Sequence, residues 1–316
     1  MNLSYSNRIK GGSFFLVFSA LILITACHRH IPKQVVAKPV KPLSLKSIIG
    51  VHFTEVRRRL SSGLSFSDNG YEAVPSYQIT FLKNDSASVY SPGRKAFLNF
   101  LVFIERDSIF DVAHSFFKLK HMSKDSLVLQ VLKVESDTLR SKQSLMYMTF
   151  YADDYIKNVL HTTAQTLQKP DRRDTAFIKQ KTVLADKIPD SAFAAPQPAV
   201  LKSINPKLTV SKVEVKADMS NNFDAAENYM NPEYNITITK AYEDFSYPIY
   251  AIVDAKGQII FYHAINYIEP EYRETTIKTI KGIIDGYLKA YMTVTPGTTL
   301  GIKHASWVLL NLVGQK

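Results

Sequence analysis

The stretch from Tyr247 to Lys316 admits few folds. Two β-rich runs, Ile249–Val253 and Gln258–Tyr262, flank the four residues Asp254, Ala255, Lys256 and Gly257. Asp can accept hydrogen bonds from its own turn and Gly can take positive φ, so this spacing predicts a hairpin. Glu269, Pro270 and Glu271 follow. Pro suits the first turn of a helix, and acids there complement its dipole. Ile277, Ile280, Ile284, Tyr287, Leu288 and Tyr291 then recur at helical spacing on one face, with Lys278, Lys281 and Lys289 off it. Gly282 and Gly286 lie one turn apart in this helix. They predict either a close approach to a partner or, the simpler reading, close packing on the chain's own sheet. Thr295, Pro296 and Gly297 end the helical region, and Trp307–Val313 reads as a third strand.

The fold class expected from the whole chain is α+β: a β-rich first domain, and a second small domain of antiparallel sheet packed with one long helix. The first domain is assigned to 47–167. Tyr77–Leu82, Phe97–Ile104, Ser126–Val134 and Leu145–Tyr151 are rich in β-formers, with turn signals at Asn84, Asp85 and Ser86 and at Ser91, Pro92 and Gly93. Residues 50–60 fit a short helix or a strand, and Arg57, Arg58 and Arg59 read as a solvated charge run. Phe110–Lys120 reads as one strand, with Phe110, Val112, His114, Phe116 and Lys118 on one face. Asp153 and Asp154 are adjacent, so they point apart and make a poor acid–base pair; they read as a loop or a helix start, with Tyr155–Leu167 as a short helix. Five prolines and a charged cluster, Asp171 to Asp174, mark 168–208 as a linker. The second domain is assigned to 209–316, entered through Val210–Val215 and the alternating run Tyr234–Thr239.

The N-terminus carries a secretory signal over residues 1–26. Arg8 and Lys10 precede the apolar run Phe14–Ile24, which is short for a membrane span. The run ends in Ile24, Thr25, Ala26 and Cys27, which resembles the lipobox of bacterial lipoproteins. That resemblance implies cleavage before Cys27 and its acylation, so the expected partner there is membrane lipid. Cys27 is the only cysteine, so no internal disulfide can form. Residues 27–46 read as a lipidated basic tether, with Arg29, Lys33, Lys38, Lys41 and Lys46 and no acid. Pro and Lys keep such a segment extended, and its charge suits anionic headgroups. His28 directly after the Cys, instead of Asp, implies by the same resemblance an outer-membrane location, and the basic tether, unlike the acidic surface-export signals of some Bacteroidota lipoproteins, implies the periplasmic face. The chain also has the general look of uncharacterised Bacteroidota lipoproteins.

The β-β-α-β order of 247–316, with Pro296 and Gly297 before the closing strand, resembles the TonB C-terminal domain family. Members of that family pair an exposed sheet edge with a peptide from an outer-membrane transporter. The resemblance makes Ala305–Val313 the candidate edge and an envelope protein the candidate partner. An unrelated α+β domain with the same element order remains the alternative. A transducer normally keeps an uncleaved membrane helix, which processing at Cys27 would remove.

The formal charge of +11 sits in the first two thirds of the chain; 209–316 holds 10 Lys/Arg against 12 Asp/Glu. Export makes nucleic acid an unsuitable counter-charge, so no nucleic acid is expected. The sequence contains no GxSxG elbow, HExxH or phosphate-binding glycine loop, and its eight histidines include no i, i+4 pair. No catalytic residue, metal ligand or cofactor is assigned. The densest aromatic–polar group is Tyr262, His263, Tyr267 and Tyr272, joined by Trp307 as candidate binding residues. The expected function is a membrane-anchored, non-enzymatic binding or assembly module. A TonB-like energy-coupling component and an envelope hydrolase are the alternatives.

Overall fold

The computed structural model describes residues 43–92, 94–106, 108–135, 138–140, 146–215 and 226–316. The expected signal segment, Cys27 and the expected tether up to residue 42 lie outside the described residues. The chain is β-rich, with two main sheets.

The first sheet is nine-stranded and antiparallel. Its strands are β1 (His52–Leu60), β2 (Gln78–Leu82), β3 (Ser86–Ser91), β4 (Ala96–Leu101), β5 (Phe103–Arg106), β6 (Ile109–Val112), β7 (Ser115–Met122), β8 (Ser126–Val131) and, after a two-stranded hairpin of β9 (Lys133–Glu135) and β10 (Thr138–Arg140), β11 (Met146–Ala152). The order β4-β3-β2-β1-β11-β8-β7-β6-β5 ends on β4 and β5. Only Val102 separates those two, so the ends of the sheet are halves of one bent strand and the sheet nearly closes on itself. A sheet of this size has an interior just wide enough for side chains to fill. Phe53, Phe81, Phe110, Phe117, Leu127, Leu129 and Phe150 fill it, each at most 3% exposed. Phe81 and Phe110 meet edge to face across it, centroids 6.0 Å apart. Burying each such side chain contributes about 1.5–3 kcal/mol.

Residues 50–60 are therefore strand, and Phe110–Lys120 is not one strand. Ala113 and His114 both take positive φ (51° and 60°), a two-residue turn that joins β6 to β7 as a hairpin. The alternation runs through the turn without an Asn or Gly to mark it. Asn84 and Asp85 also take positive φ, in the three-residue turn that joins β2 to β3. The run Tyr155–Leu167 is broken: α1 (Asp153–Asn158) and α2 (Ala164–Leu167) flank His161, whose φ is 49°.

Residues 168–208, expected as a spacer, hold α3 (Arg172–Ala185), a one-turn helix at Pro189–Ser191 and the strand β12 (Val200–Ser203). The charges at 171–174 are a capping box: Asp171 accepts from the Asp174 N–H, and Asp174 accepts from the Asp171 N–H. Asp174 is fully buried and binds Arg59 through both carboxylate oxygens at 2.7–2.8 Å. Arg58 pairs with the buried Glu55, so only Arg57 of the three arginines is a solvated charge. Ile178, Ala185, Ala192 and Phe193 join Phe66 of the β1–β2 loop and Ile252 and Ala305 in a core between the two sheets.

The second sheet has five strands in the order β13-β14-β20-β15-β16: β13 (Leu208–Lys212), β14 (Glu233–Thr239), β15 (Phe245–Val253), β16 (Ile259–Ala264) and β20 (Ser306–Gln315). The short helix α4 (Glu227–Met230) precedes β14. A long helical segment follows β16: α5 (Pro270–Ile283), a π-turn stretch at Ile284–Leu288 and α6 (Lys289–Tyr291). Then β17 (Met292–Thr295) pairs with β12, and β18 (Thr298–Thr299) pairs with β19 (Ile302–Lys303). Ile280, Ile283, Ile284 and Leu288 bury against Ile249, Ala251, Val308 and Leu310 of the sheet. The expected hairpin, helix and closing strand are all present.

Three expectations for this region are corrected. The sheet is not antiparallel throughout, because β14 runs parallel to β20. The strand Ala305–Val313 is not an edge: β20 is central, with β15 antiparallel on one side and β14 parallel on the other from Glu233 to Thr239. The chain supplies its own strand there, because Tyr234, Ile236 and Ile238 need the same helix-covered core. The sheet's edges are β13 and β16. Gly282 and Gly286 do not pack on the sheet: both are exposed, and a Cβ on either would meet nothing within 4 Å.

Candidate binding surface

The hairpin of β15 and β16 builds the surface. Its turn forms as the residues require: Asp254 Oδ1 accepts from the N–H groups of Lys256 and Gln258 at 2.9 and 2.8 Å, and Gly257 takes φ +83°. Gly257 also lies against Val294, whose carbonyl oxygen would stand 2.6 Å from a Cβ. The register then slips. Tyr250 faces His263 but Ala251 faces Phe261, leaving Tyr262 as an extra residue. Such a bulge re-aims side chains. Here Tyr262 and His263 are both exposed, instead of one being turned under the helix.

The bulge gathers three of the five expected residues. The Tyr262 ring lies 5.0 Å from His263 and 4.5 Å from Trp307, edge to face. Tyr250 completes the group at 4.8 Å from His263. Trp307 is held by an Nε1–H bond to the Ala192 carbonyl at 2.7 Å. The Tyr262 hydroxyl donates to Asp190 Oδ1 at 2.9 Å. That bond to a carboxylate, with some desolvation and the carboxylate's charge, holds the phenol pKa above its ordinary value. Tyr267 (79% exposed) stands in the loop after β16 and Tyr272 (61%) in the first turn of α5. Among the described residues, no ring contact joins either to the group. Sequence reasoning missed Tyr250, Asp190 and the Ala192 carbonyl. Asp190 and Ala192 sit in the segment read as a spacer, and the Tyr250–His263 contact depends on the bulge.

β16 is an edge strand, so it presents unpaired backbone groups on its outer side. A groove of about 400 Å³ runs beside it, lined by Gly257–Phe261 and, on the helical side, Lys281, Ile284, Asp285, Leu288 and Lys289. Ile260 is 44% exposed above it. The arrangement can take an extended segment by backbone pairing and hold an apolar or ring-bearing group on the adjacent aromatics.

Two other clusters do structural work. His52 Nδ1 bonds Thr80 Oγ1 at 2.8 Å, and His52 Nε2 lies 3.7 Å from Asp153. The three form a hydroxyl–imidazole–carboxylate line, but His52 and Thr80 are cross-strand partners on the sheet's outer wall, and Asp153 takes its hydrogen bond from Thr54. The line fastens β1, β2 and α1. His304 is fully buried, with Nε2 against Thr299 Oγ1 at 2.8 Å, Nδ1 against the Ala305 carbonyl at 2.9 Å, and its ring stacked on Phe193 at 3.9 Å. Burial lowers its pKa. Among the described residues, no group of three or more His, Cys, Asp or Glu could hold a metal ion.

Compared with known proteins, the chain matches no family model and no curated protein.

Proposed function

We propose that this protein is a lipid-anchored binding module of the bacterial cell envelope, taking an extended segment of a partner protein along the β16 edge. The observation that carries the reading is the conjunction at β16: an open strand edge, a groove beside it, and a bulge that turns Tyr262 and His263 outward next to Trp307. Anchoring rests on the lipobox-like Ile24–Cys27 and the acid-free tether. His28 supports placement at the outer membrane, and the basic tether supports the periplasmic face. We read the two sheets as a division of labour, with residues 47–167 next to the anchor and residues 209–316 carrying the contact surface.

Energy coupling of the TonB kind has less support. The edge that the resemblance nominates is filled by β14, so a transporter peptide would have to displace the chain's own strand.

Two observations test the proposal. Cys27→Ala should release the protein from the membrane fraction or leave its signal unprocessed; normal acylation of that variant removes the anchoring part. A photo-crosslinking amino acid at Ile260 should trap an envelope protein in living cells, and the same group at Arg57 should not. Trapping at neither position, or equally at both, ends the edge-binding reading.

A further inference from the structure

The outer wall of the nine-stranded sheet carries an apolar stripe that the proposed binding surface does not use. On β4, Leu98 and Phe100 pair with the inward Val89 and Ala87. Phe97, Asn99 and Leu101 therefore point out. Val102 turns in at 7% exposure, so Phe103 points out again. Three of four consecutive outward positions are large and apolar, and they are 46%, 62% and 55% exposed. From Phe97 to Phe103 the stripe is about 20 Å long at ~3.3 Å per residue. An exposed apolar patch of this kind marks a contact with something.

We propose that this stripe is a second membrane contact, dipping into the headgroup region of the anionic leaflet that holds the lipid anchor. The inference rests on the anchoring reading above. Charge complementarity favours a leaflet as occupant: exposed Arg94 and Lys95 stand at the start of the stripe, and the tether adds five basic residues and no acid. Basic groups beside exposed rings and aliphatics make up an interfacial membrane site.

The point where the chain enters the sheet agrees. Gly50 N–H bonds the Phe81 carbonyl at 2.8 Å, Ile49 bridges Phe81 and is 38% exposed, and the His52 ring lies 5.6 Å from Phe97. The described chain, whose Leu43, Leu45 and Ile48 pack against the interior core, thus enters β1 near Phe97 of the stripe. Cys27 precedes Leu43 by 16 residues, a reach of at most about 55 Å, so the anchor keeps the wall close to the leaflet. The outside of a nearly closed sheet is convex, which suits a fluid surface better than a peptide.

The chain has one tryptophan, Trp307, which gives a fixed background for a fluorescence test. The full chain, purified from envelopes, is placed on phosphatidylglycerol vesicles with brominated acyl chains. With Leu101→Trp, the introduced indole should lose at least about half of its emission, as expected for a side chain held 5–10 Å into the interface. With Arg57→Trp, on a different part of the wall, no loss beyond the wild-type background is expected. Quenching of neither, or equal quenching of both, overturns the proposal. A lipid-free blue shift of the L101W emission that grows with protein concentration also overturns it, in favour of self-association. Mass analysis of Cys27 is read separately: an unacylated residue defeats the anchoring, while the quenching contrast still decides the stripe.

Discussion

Asp174 is fully buried and accepts from the Arg59 guanidinium and from the N–H groups of Ser65 and Asp171. It ties β1, the β1–β2 loop and α3 together. Removing one partner of a buried pair leaves the other charge uncompensated. Asp174→Ala should lower unfolding stability by about 3–5 kcal/mol in a urea titration, and the double change Asp174→Leu with Arg59→Met should lose much less. His304 gives the molecule a pH dependence. Its folded pKa is depressed below the ordinary 6.5 by burial. Below that pH the unfolded chain takes a proton that the folded chain refuses, so stability falls as pH drops from 6.5 to the depressed value and levels off beneath it. The slope inside that window is at most about 1.4 kcal/mol per pH unit. Thermal melts between pH 7 and 5 should show the decline, and His304→Gln should remove this part of it.

Among the elements, the helical segment 270–291 carries a glycine with no packing role. Gly282 is exposed, and a Cβ there has open space. Gly282→Ala should therefore stabilise the protein by about 0.5–1 kcal/mol in the same titration; a loss would mean that the position contacts something. The β15–β16 hairpin and this helix were legible because their signals are local: a turn with Asp and Gly, a Pro at a helix start, a stripe at helical spacing. What was not legible is non-local. Nothing near Tyr234 or Trp307 announces that β14 and β20 run parallel, and that pairing decides which strand is the edge. The bulge at Tyr262 shifts pairing by one residue without an unusual residue type. Asp171–Asp174 was visible as a charge cluster, and its capping box is local, but the burial of Asp174 against Arg59 depends on a residue far away in sequence. Of the candidate binding residues, Tyr262, His263 and Trp307 converge because one bulge and one neighbouring strand bring them together, whereas Tyr267 and Tyr272 lie past the strand's end.

At the scale of the molecule, the two sheets are joined by the β1–β2 loop, α3 and the residues around Ala194. Gly70 has φ +92°, and a Cβ there would sit 2.1 Å from the Ala194 carbonyl oxygen; the Ala194 N–H in turn bonds the Asn69 carbonyl. Gly70→Ala must push this joint apart. Its thermal melt should lose coincidence between Trp307 fluorescence and sheet circular dichroism, while the wild type melts with both signals together. The bent strand at Val102 bears on how the first sheet assembles. Nearly every pairing in that wall joins neighbours along the chain, so most of it can form as successive hairpins at little loop-closure cost. The exceptions are β11 with β8, across the β9–β10 hairpin, and, over a far longer separation, the seam of β1 with β11, which brings Phe53 to Ala152. That seam is the last step of folding in this picture and the first to open. Thr149→Gly, on the seam, should therefore speed unfolding several-fold and leave the refolding rate nearly unchanged in a denaturant chevron.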